Sequence, residues 1–121
     1  MSSLPTLDEF LERSEKRAFP SNSYVKEPGW ESLYVRYGPR FVLEDLQSPV
    51  LTLANITVEK QMRGKGVFTT LVERLRREHP NLHLLVENTH SRFGSYLLKI
   101  GFVLMSEEIS KSYFLKAKES P

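Results

Sequence analysis

Six consecutive residues, Gln61-Met62-Arg63-Gly64-Lys65-Gly66, combine features that suit the binding of a phosphate group. They stand between a run of β-branched residues and the start of a helical pattern. A helix begins with about four backbone N–H groups that lack intrahelical acceptors, and its macrodipole makes that end positive. Glycine has no Cβ, so the backbone at Gly64 and Gly66 can approach an anion closely. Lys60, Arg63 and Lys65 add positive charge on the same rim. The spacing excludes a P-loop, which needs four residues between its glycines and then Lys-Ser/Thr. A dinucleotide fingerprint needs a third glycine where this chain has Thr69, although Glu87 stands near the place of its acidic residue. A tight turn packed beneath a sheet is the plainer structural reading of the same loop.

The elements that must hold this loop are legible from periodicity. Thr6-Leu7-Asp8-Glu9 is a capping-box pattern, and Leu7, Phe10 and Leu11 follow at helical spacing, which predicts a helix over about 7–17. Residues 19–30, broken by Pro20, Asn22, Pro28 and Gly29, are expected to form a surface loop bordering a substrate. Residues 32–37 predict a strand that stops at Gly38-Pro39, and Phe41-Val42-Leu43 predict another. Residues 50–58 predict a long central strand buried on both faces. After Gly66, the residues Phe68, Leu71, Val72 and Leu75 mark the inward face of a helix that Pro80-Asn81 ends. Residues 82–86 form a short apolar strand. A second helix follows, with Phe93, Tyr96, Leu97 and Ile100 inward and Gly101 as its C-terminal cap. Strands over 102–105 and 112–115 close the order. A strand, a crossover helix and a parallel strand imply a right-handed unit at the centre, and short turns add antiparallel neighbours. The expected class is α/β (α+β): a mixed, mostly antiparallel sheet with helices on both faces.

At 121 residues the chain is expected to be one domain, residues 1–121. With 40% hydrophobic and 26% charged residues its composition is that of an ordinary globular protein. A formal net charge of +2 is too small to point to nucleic acid or membrane as the main partner. The absence of cysteine removes disulfides, thiolate metal sites and thiol nucleophiles. His79, His83 and His90 fall on a helix end, a strand and a loop without chelating spacing, so no metal is expected. Met1-Ser2-Ser3-Leu4-Pro5 lacks the basic start and apolar run of a signal peptide, and no apolar stretch reaches the roughly 20 residues of a membrane span. The expectation is a cytoplasmic protein.

The loop fits without a gap the Gln/Arg-x-x-Gly-x-Gly/Ala pattern, and Lys99-Ile100-Gly101-Phe102 stands at the matching distance downstream. On these motifs, and on the strand LTLANITV, the helix FTTLVERLRRE and the strand LHLLVEN, the sequence resembles the GNAT superfamily of acyl-CoA-dependent N-acyltransferases. The likeness covers residues 50–103, just under half of the chain. It implies a sheet splayed open between its two central parallel strands, with the pantetheine arm of acetyl-CoA in the splay. It further implies that backbone N–H groups at Ile56, Thr57 and Val58 hold the pantetheine and the thioester carbonyl. The backbone from Arg63 through Gly64, Lys65, Gly66 and Val67 to Phe68 would hold the pyrophosphate.

The function implied is transfer of an acetyl group to a primary amine of a small molecule, peptide or protein, and catalysis then needs a base for the amine. Val50 stands where many family members carry a strand carboxylate. Glu87 and His90, just after the second central strand, are the alternatives; the plainer readings are a strand-end carboxylate in an ion pair and a loop residue. Glu44 and Asp45 would serve only from a turn folded inward. The tyrosine that protonates the leaving thiolate would stand at Leu97, while Tyr96 is one residue earlier, a rotation of about 100° on a helix. Tyr113 is a further candidate acid. Asn55, polar within an apolar strand, either satisfies a bulge or edge or orients the acceptor. The short N-terminal half implies an open acceptor site, or one completed by a second copy in a homodimer. The alternative function is a CoA-binding regulatory or interaction module that has lost catalysis.

Overall fold

Local sequence decides where the first helix starts. Thr6 Oγ1 accepts from the Glu9 N–H at 3.1 Å, and Glu9 Oε1 accepts from the Thr6 N–H at 2.8 Å. This closed capping box contributes about 1 kcal/mol. It opens α1 (Leu7–Glu15), which buries Leu7, Phe10 and Leu11. The computed structural model describes residues 4–16, 21–38, 49–87, 91–106 and 112–117. The strand expected at 41–43 lies outside these residues, as do Glu44, Asp45 and His90. After α1 come β1 (Ser21–Tyr24), β2 (Trp30–Gly38), β3 (Val50–Val58), α2 (Val67–Glu78), β4 (His83–Val86), α3 (Ser91–Lys99), β5 (Val103–Ser106) and β6 (Ser112–Leu115). A 3-10 turn at Lys60–Met62 precedes α2.

The six strands form one mixed sheet in the order β1-β2-β3-β4-β6-β5. β3 and β4 are parallel, and every other neighbouring pair is antiparallel. β1 corrects the reading of 19–30 as a loop. Its residues Ser-Asn-Ser-Tyr carry no apolar alternation because it is an edge strand, half-buried at best, and its backbone pairs with Tyr34–Tyr37 of β2. The crossovers from β3 through α2 and from β4 through α3 both advance in one direction across the sheet. Right-handed connections then place both helices on one face. Buried side chains of α1, α2 and α3 accordingly join Val35, Leu53, Val86 and Tyr113 in a single core, and Val50, Leu85 and Phe114 make a smaller cluster on the other face. Among the described helices the cover is therefore one-sided, where the sequence predicts both faces.

Two bulges keep the apolar residues on the helical face. Val35 pairs with Leu53 and Tyr34 with Asn55, so Ala54 is an extra residue in β3. Trp30 pairs with Val58 and Ser32 with Thr57, so Glu31 is extra in β2. Because strand side chains alternate, one extra residue exchanges inside for outside. Before the bulge Leu51 and Leu53 face the helices; after it Ile56 and Val58 do, and Asn55 and Thr57 face away. The strand is thus buried on both faces only over its first four residues.

On that second face His83 is fully buried, with its ring 5.4 Å from that of Phe114. Its Nδ1 accepts the Ala117 N–H at 2.8 Å, which requires the proton on Nε2, and Nε2 is buried without a partner among the described residues. Burial, and secondarily the charge of Lys116, hold the imidazole below its usual pKa. The unfolded chain therefore takes up this proton first as the pH falls, so stability is full above about pH 6.5 and declines below it. For one proton the slope is at most about 1.4 kcal/mol per pH unit. Urea unfolding from pH 8 to pH 5 is expected to show this acid limb. His83→Asn, whose carboxamide oxygen can still accept from Ala117, is expected to flatten it; an unchanged limb would assign the effect to other groups.

Candidate functional site

The N-termini of α1 and α2 are built differently, and the difference marks the site. At α1 the Thr6 hydroxyl takes the Glu9 N–H, the buried Glu27 Oε2 takes the Leu7 N–H at 2.8 Å, and Asp8 and Glu9 stand in the first turn. At α2 the cap is Gly66 in a left-handed conformation, φ +76°, with no side-chain acceptor and no acidic residue in the first turn. The first intrahelical bond runs from the Thr70 N–H to the Gly66 carbonyl. The N–H groups of Val67, Phe68 and Thr69 are left to an outside acceptor.

Gly64 has φ +77°, and a Cβ built on either Gly64 or Gly66 would meet no atom within 4 Å. Both glycines therefore present bare backbone to open space. That space is a cleft of about 340 Å³. It is lined by Arg63, Gly64, Gly66 and Val67 of the loop and the start of α2, and by Val58, Met62, Phe68, Phe93 and Tyr96. Arg63 is tied to the end of β3, its Nε–H donating to the Val58 carbonyl at 3.2 Å, while Lys65 is exposed. The Pro28–Gly29 turn braces the loop from behind: the Gly29 carbonyl accepts the Glu59 N–H at 2.9 Å, and a Cβ at Gly29 would touch Val67.

β4 accompanies β3 only from Val50 to Leu53, and the Glu87 N–H to the Leu53 carbonyl, 3.1 Å, is the last rung. Backbone groups of residues 54–58 that point toward β4 have no strand partner among the described residues. Ile56, Thr57 and Val58 line this opening, and Val58 reaches the cleft.

Of the expected catalytic residues, Tyr96 lies on the cleft wall, its ring 6.0 Å from that of Phe93 and 6.3 Å from that of Phe68. Leu97 is fully buried in the core, on the inward face that its spacing predicts. Glu87 forms an ion pair between its Oε1 and Arg36 Nη2. Asn55 is exposed on the face away from the helices and donates from Nδ2 to Tyr24 Oη at 3.4 Å. Tyr113 is buried and braces α3, since a Cβ at Gly94 would clash with its hydroxyl. Sequence reasoning passed over Glu27 and Arg36, each a lone charge whose partner lies far along the chain. Asp8, Glu78 and His79 bring ligand atoms within 4.8 Å of one another at the surface. No helix among the described residues is long and apolar enough to cross a membrane.

No protein-family model and no curated protein matches the sequence. Solved structures do match in fold. An AtaT mutant toxin bound to the C-terminus of the antitoxin AtaR and to acetyl-CoA superposes with a TM-score of 0.53 at 20% identity, over 71% of this chain and 60% of that one. An acetyltransferase from Thermus thermophilus gives 0.54 at 16% identity, over 94% and 77%. AtaT complexed with acetyl-methionyl-tRNAfMet gives 0.52 at 19%, over 93% and 82%. This chain spans only 59–60% of the length of the AtaT chains seen with AtaR, without and with acetyl-CoA. The order of elements, the single parallel pair that parts after Leu53 and these superpositions agree: the chain has the fold of the GNAT acetyltransferases.

Proposed function

We propose that this protein transfers the acetyl group of acetyl-CoA to a primary amine. The observation that carries the proposal is the uncapped N-terminus of α2, which opens through two bare glycines into an apolar cleft beside an unpaired strand edge. These surfaces fit coenzyme A part by part. Backbone from Arg63 to Phe68 offers N–H groups and positive potential to the pyrophosphate, with Arg63 and Lys65 at its rim. The free edge at Ile56, Thr57 and Val58 offers hydrogen bonds to the pantetheine amides. A fixed N–H on that edge, aimed at the developing oxyanion, contributes a few kcal/mol.

Acetyl-CoA supplies the thioester. The amine nitrogen bonds to the carbonyl carbon, the C–S bond breaks with its electron pair on sulfur, and the amine loses one proton. Glu87 or His90 takes that proton, directly or through water, and Tyr96, on the cleft wall, returns one to the thiolate. Acetyl transfer to an amine borne by a macromolecule is within the range of this fold, since AtaT is seen with an acetylated aminoacyl-tRNA. A second reading, a coenzyme A-binding module without catalysis, is favoured by Val50 at the strand position expected of a carboxylate and by the ion pair that already occupies Glu87.

Calorimetry is expected to show micromolar binding of coenzyme A and acetyl-CoA, little binding of NAD or ATP, and a rise in melting temperature on binding. No binding at millimolar coenzyme A would sink both readings. A screen of amine pools for mass gain dependent on acetyl-CoA then separates them. With an acceptor in hand, Tyr96→Phe and either Glu87→Gln or His90→Ala are expected to lower turnover by about 10²–10⁴-fold while coenzyme A affinity holds.

A further inference from the structure

Residues 25–29, which join β1 to β2, stand outside the lining of the cleft, yet they touch both ends of the loop that forms part of it. At the start of the loop the Gly29 carbonyl accepts the Glu59 N–H at 2.9 Å. At its end a Cβ on Gly29 would stand 3.4 Å from both Val67 methyl groups and 3.8 Å from the methyl of Met62. Val67 and Met62 both line the cleft, and Val67 is the first residue of α2. The next residue, Trp30, pairs with Val58 and sets its ring edge-on to that of Phe68, 6.3 Å away. One residue, Gly29, therefore spans the loop from Glu59 to Val67.

The turn is itself anchored away from the loop. Glu27 is buried, and its carboxylate joins the Leu7 N–H of α1 to Arg74 of α2. The Lys26 N–H donates to the Pro5 carbonyl at 2.8 Å, and the Trp30 N–H closes the turn onto the Glu27 carbonyl at 3.1 Å. A glycine-containing loop loses conformational freedom when it closes on a ligand, and fixing its ends beforehand reduces that loss. We propose that residues 25–29 act as a strap and that Gly29 is a positioning residue for the cofactor. Its carbonyl fixes Glu59 and its bare Cα admits Val67, so that the N–H groups of Val67, Phe68 and Thr69 stand in place before the pyrophosphate arrives. The proposal rests on the acetyl-transfer reading for its ligand, and on these contacts alone for the position of the loop.

Glu59→Pro tests the strap on the full chain. Glu59 has φ −55°, close to the proline value, and follows a strand residue, so proline suits the backbone there. It removes the N–H that Gly29 accepts and puts a ring carbon in its place. Glu59→Ala keeps the N–H and is the control. In the ligand-free protein, trypsin cleavage after Arg63 and Lys65 is expected to be about 5-fold faster in Glu59→Pro than in the control, as the loop opens locally. Calorimetry below the melting transition is expected to show coenzyme A affinity about 10-fold lower in Glu59→Pro, with pantetheine, which lacks the pyrophosphate, unchanged. A strap that only added stability would leave both affinities as they were. Gly29→Ala, strained at φ +89° and carrying a Cβ against Val67, is expected to give the same pattern. Equal cleavage in Glu59→Pro and Glu59→Ala, equal coenzyme A affinity in the two, or an equal loss for coenzyme A and pantetheine overturns the proposal. Faster cleavage in Glu59→Pro with no coenzyme A binding by the wild type supports the strap and refutes the acetyl-transfer reading; coenzyme A bound alike by all the proteins does the reverse.

Discussion

Gly64→Val is expected to lower coenzyme A affinity by more than about 100-fold, equivalent to ~2.7 kcal/mol or more, while the protein still folds. The protein itself leaves room for the side chain, because a Cβ at Gly64 meets nothing within 4 Å. What the valine fills is the space directly before the N–H groups at the start of α2, which the pyrophosphate must reach. The conformational cost is separate. At φ +77° a β-branched residue is strained by about 1–3 kcal/mol, so the melting temperature is expected to fall. Calorimetry for coenzyme A and circular dichroism for folding separate the two effects. Gly64→Ala, with similar strain and less bulk, is expected to lie between valine and wild type in affinity. Full affinity in the valine variant would move the ligand away from this loop.

Glu27→Ala is expected to be the most destabilising single change at a charged residue, by about 3 kcal/mol. Glu27 is 7% exposed and serves two elements at once. Oε2 accepts the first helical N–H of α1, from Leu7, and Oε1 accepts Arg74 Nη2 of α2 at 3.1 Å. Truncation leaves a helix N–H unmet and, among the described residues, leaves Arg74 only Asp8, 4.0 Å away and exposed. Glu27→Gln keeps an oxygen for Leu7 and loses the ionic contact, so it is expected to cost less. Urea unfolding of the three proteins gives the ordering, and equal stability of all three would show that α1 is held by its apolar face alone.

The parts of this fold that sequence makes legible are those where burial is periodic. Phe68, Leu71, Val72 and Leu75 are all buried as their spacing predicts, and β3 runs over Val50–Val58 as its composition predicts. The glycine loop was legible for a related reason, since few backbones other than a tight approach require two left-handed glycines so close together. Where burial is absent the signal fails, as at β1, whose four polar residues are held only by backbone pairing. The phase of α3 is set by what it packs against. Leu97 and Tyr96 are both inward-facing by periodicity, and only the tertiary seat decides that leucine enters the core and tyrosine the cleft. Glu27 and Arg36 carry no local pattern at all, because their partners are 47 and 51 residues away.

The extra residue at Ala54 determines what kind of sequence change β3 tolerates. Substitutions at Ile56 or Val58 that keep size and polarity preserve the pattern of the strand and alter packing by degrees. Inserting a residue between Asn55 and Ile56 does not, because Ile56 and Val58 would turn outward unless a further bulge absorbed it. Deleting Ala54 removes only the extra residue: alternation with β2 becomes regular, while Asn55 and Thr57 still face away and Ile56 and Val58 still face the helices. The same single deletion would remove the backbone irregularity at the point where β3 and β4 part. The burial pattern of β3 therefore survives loss of the extra residue, and what that residue sets is the bend of the backbone where β3 leaves β4.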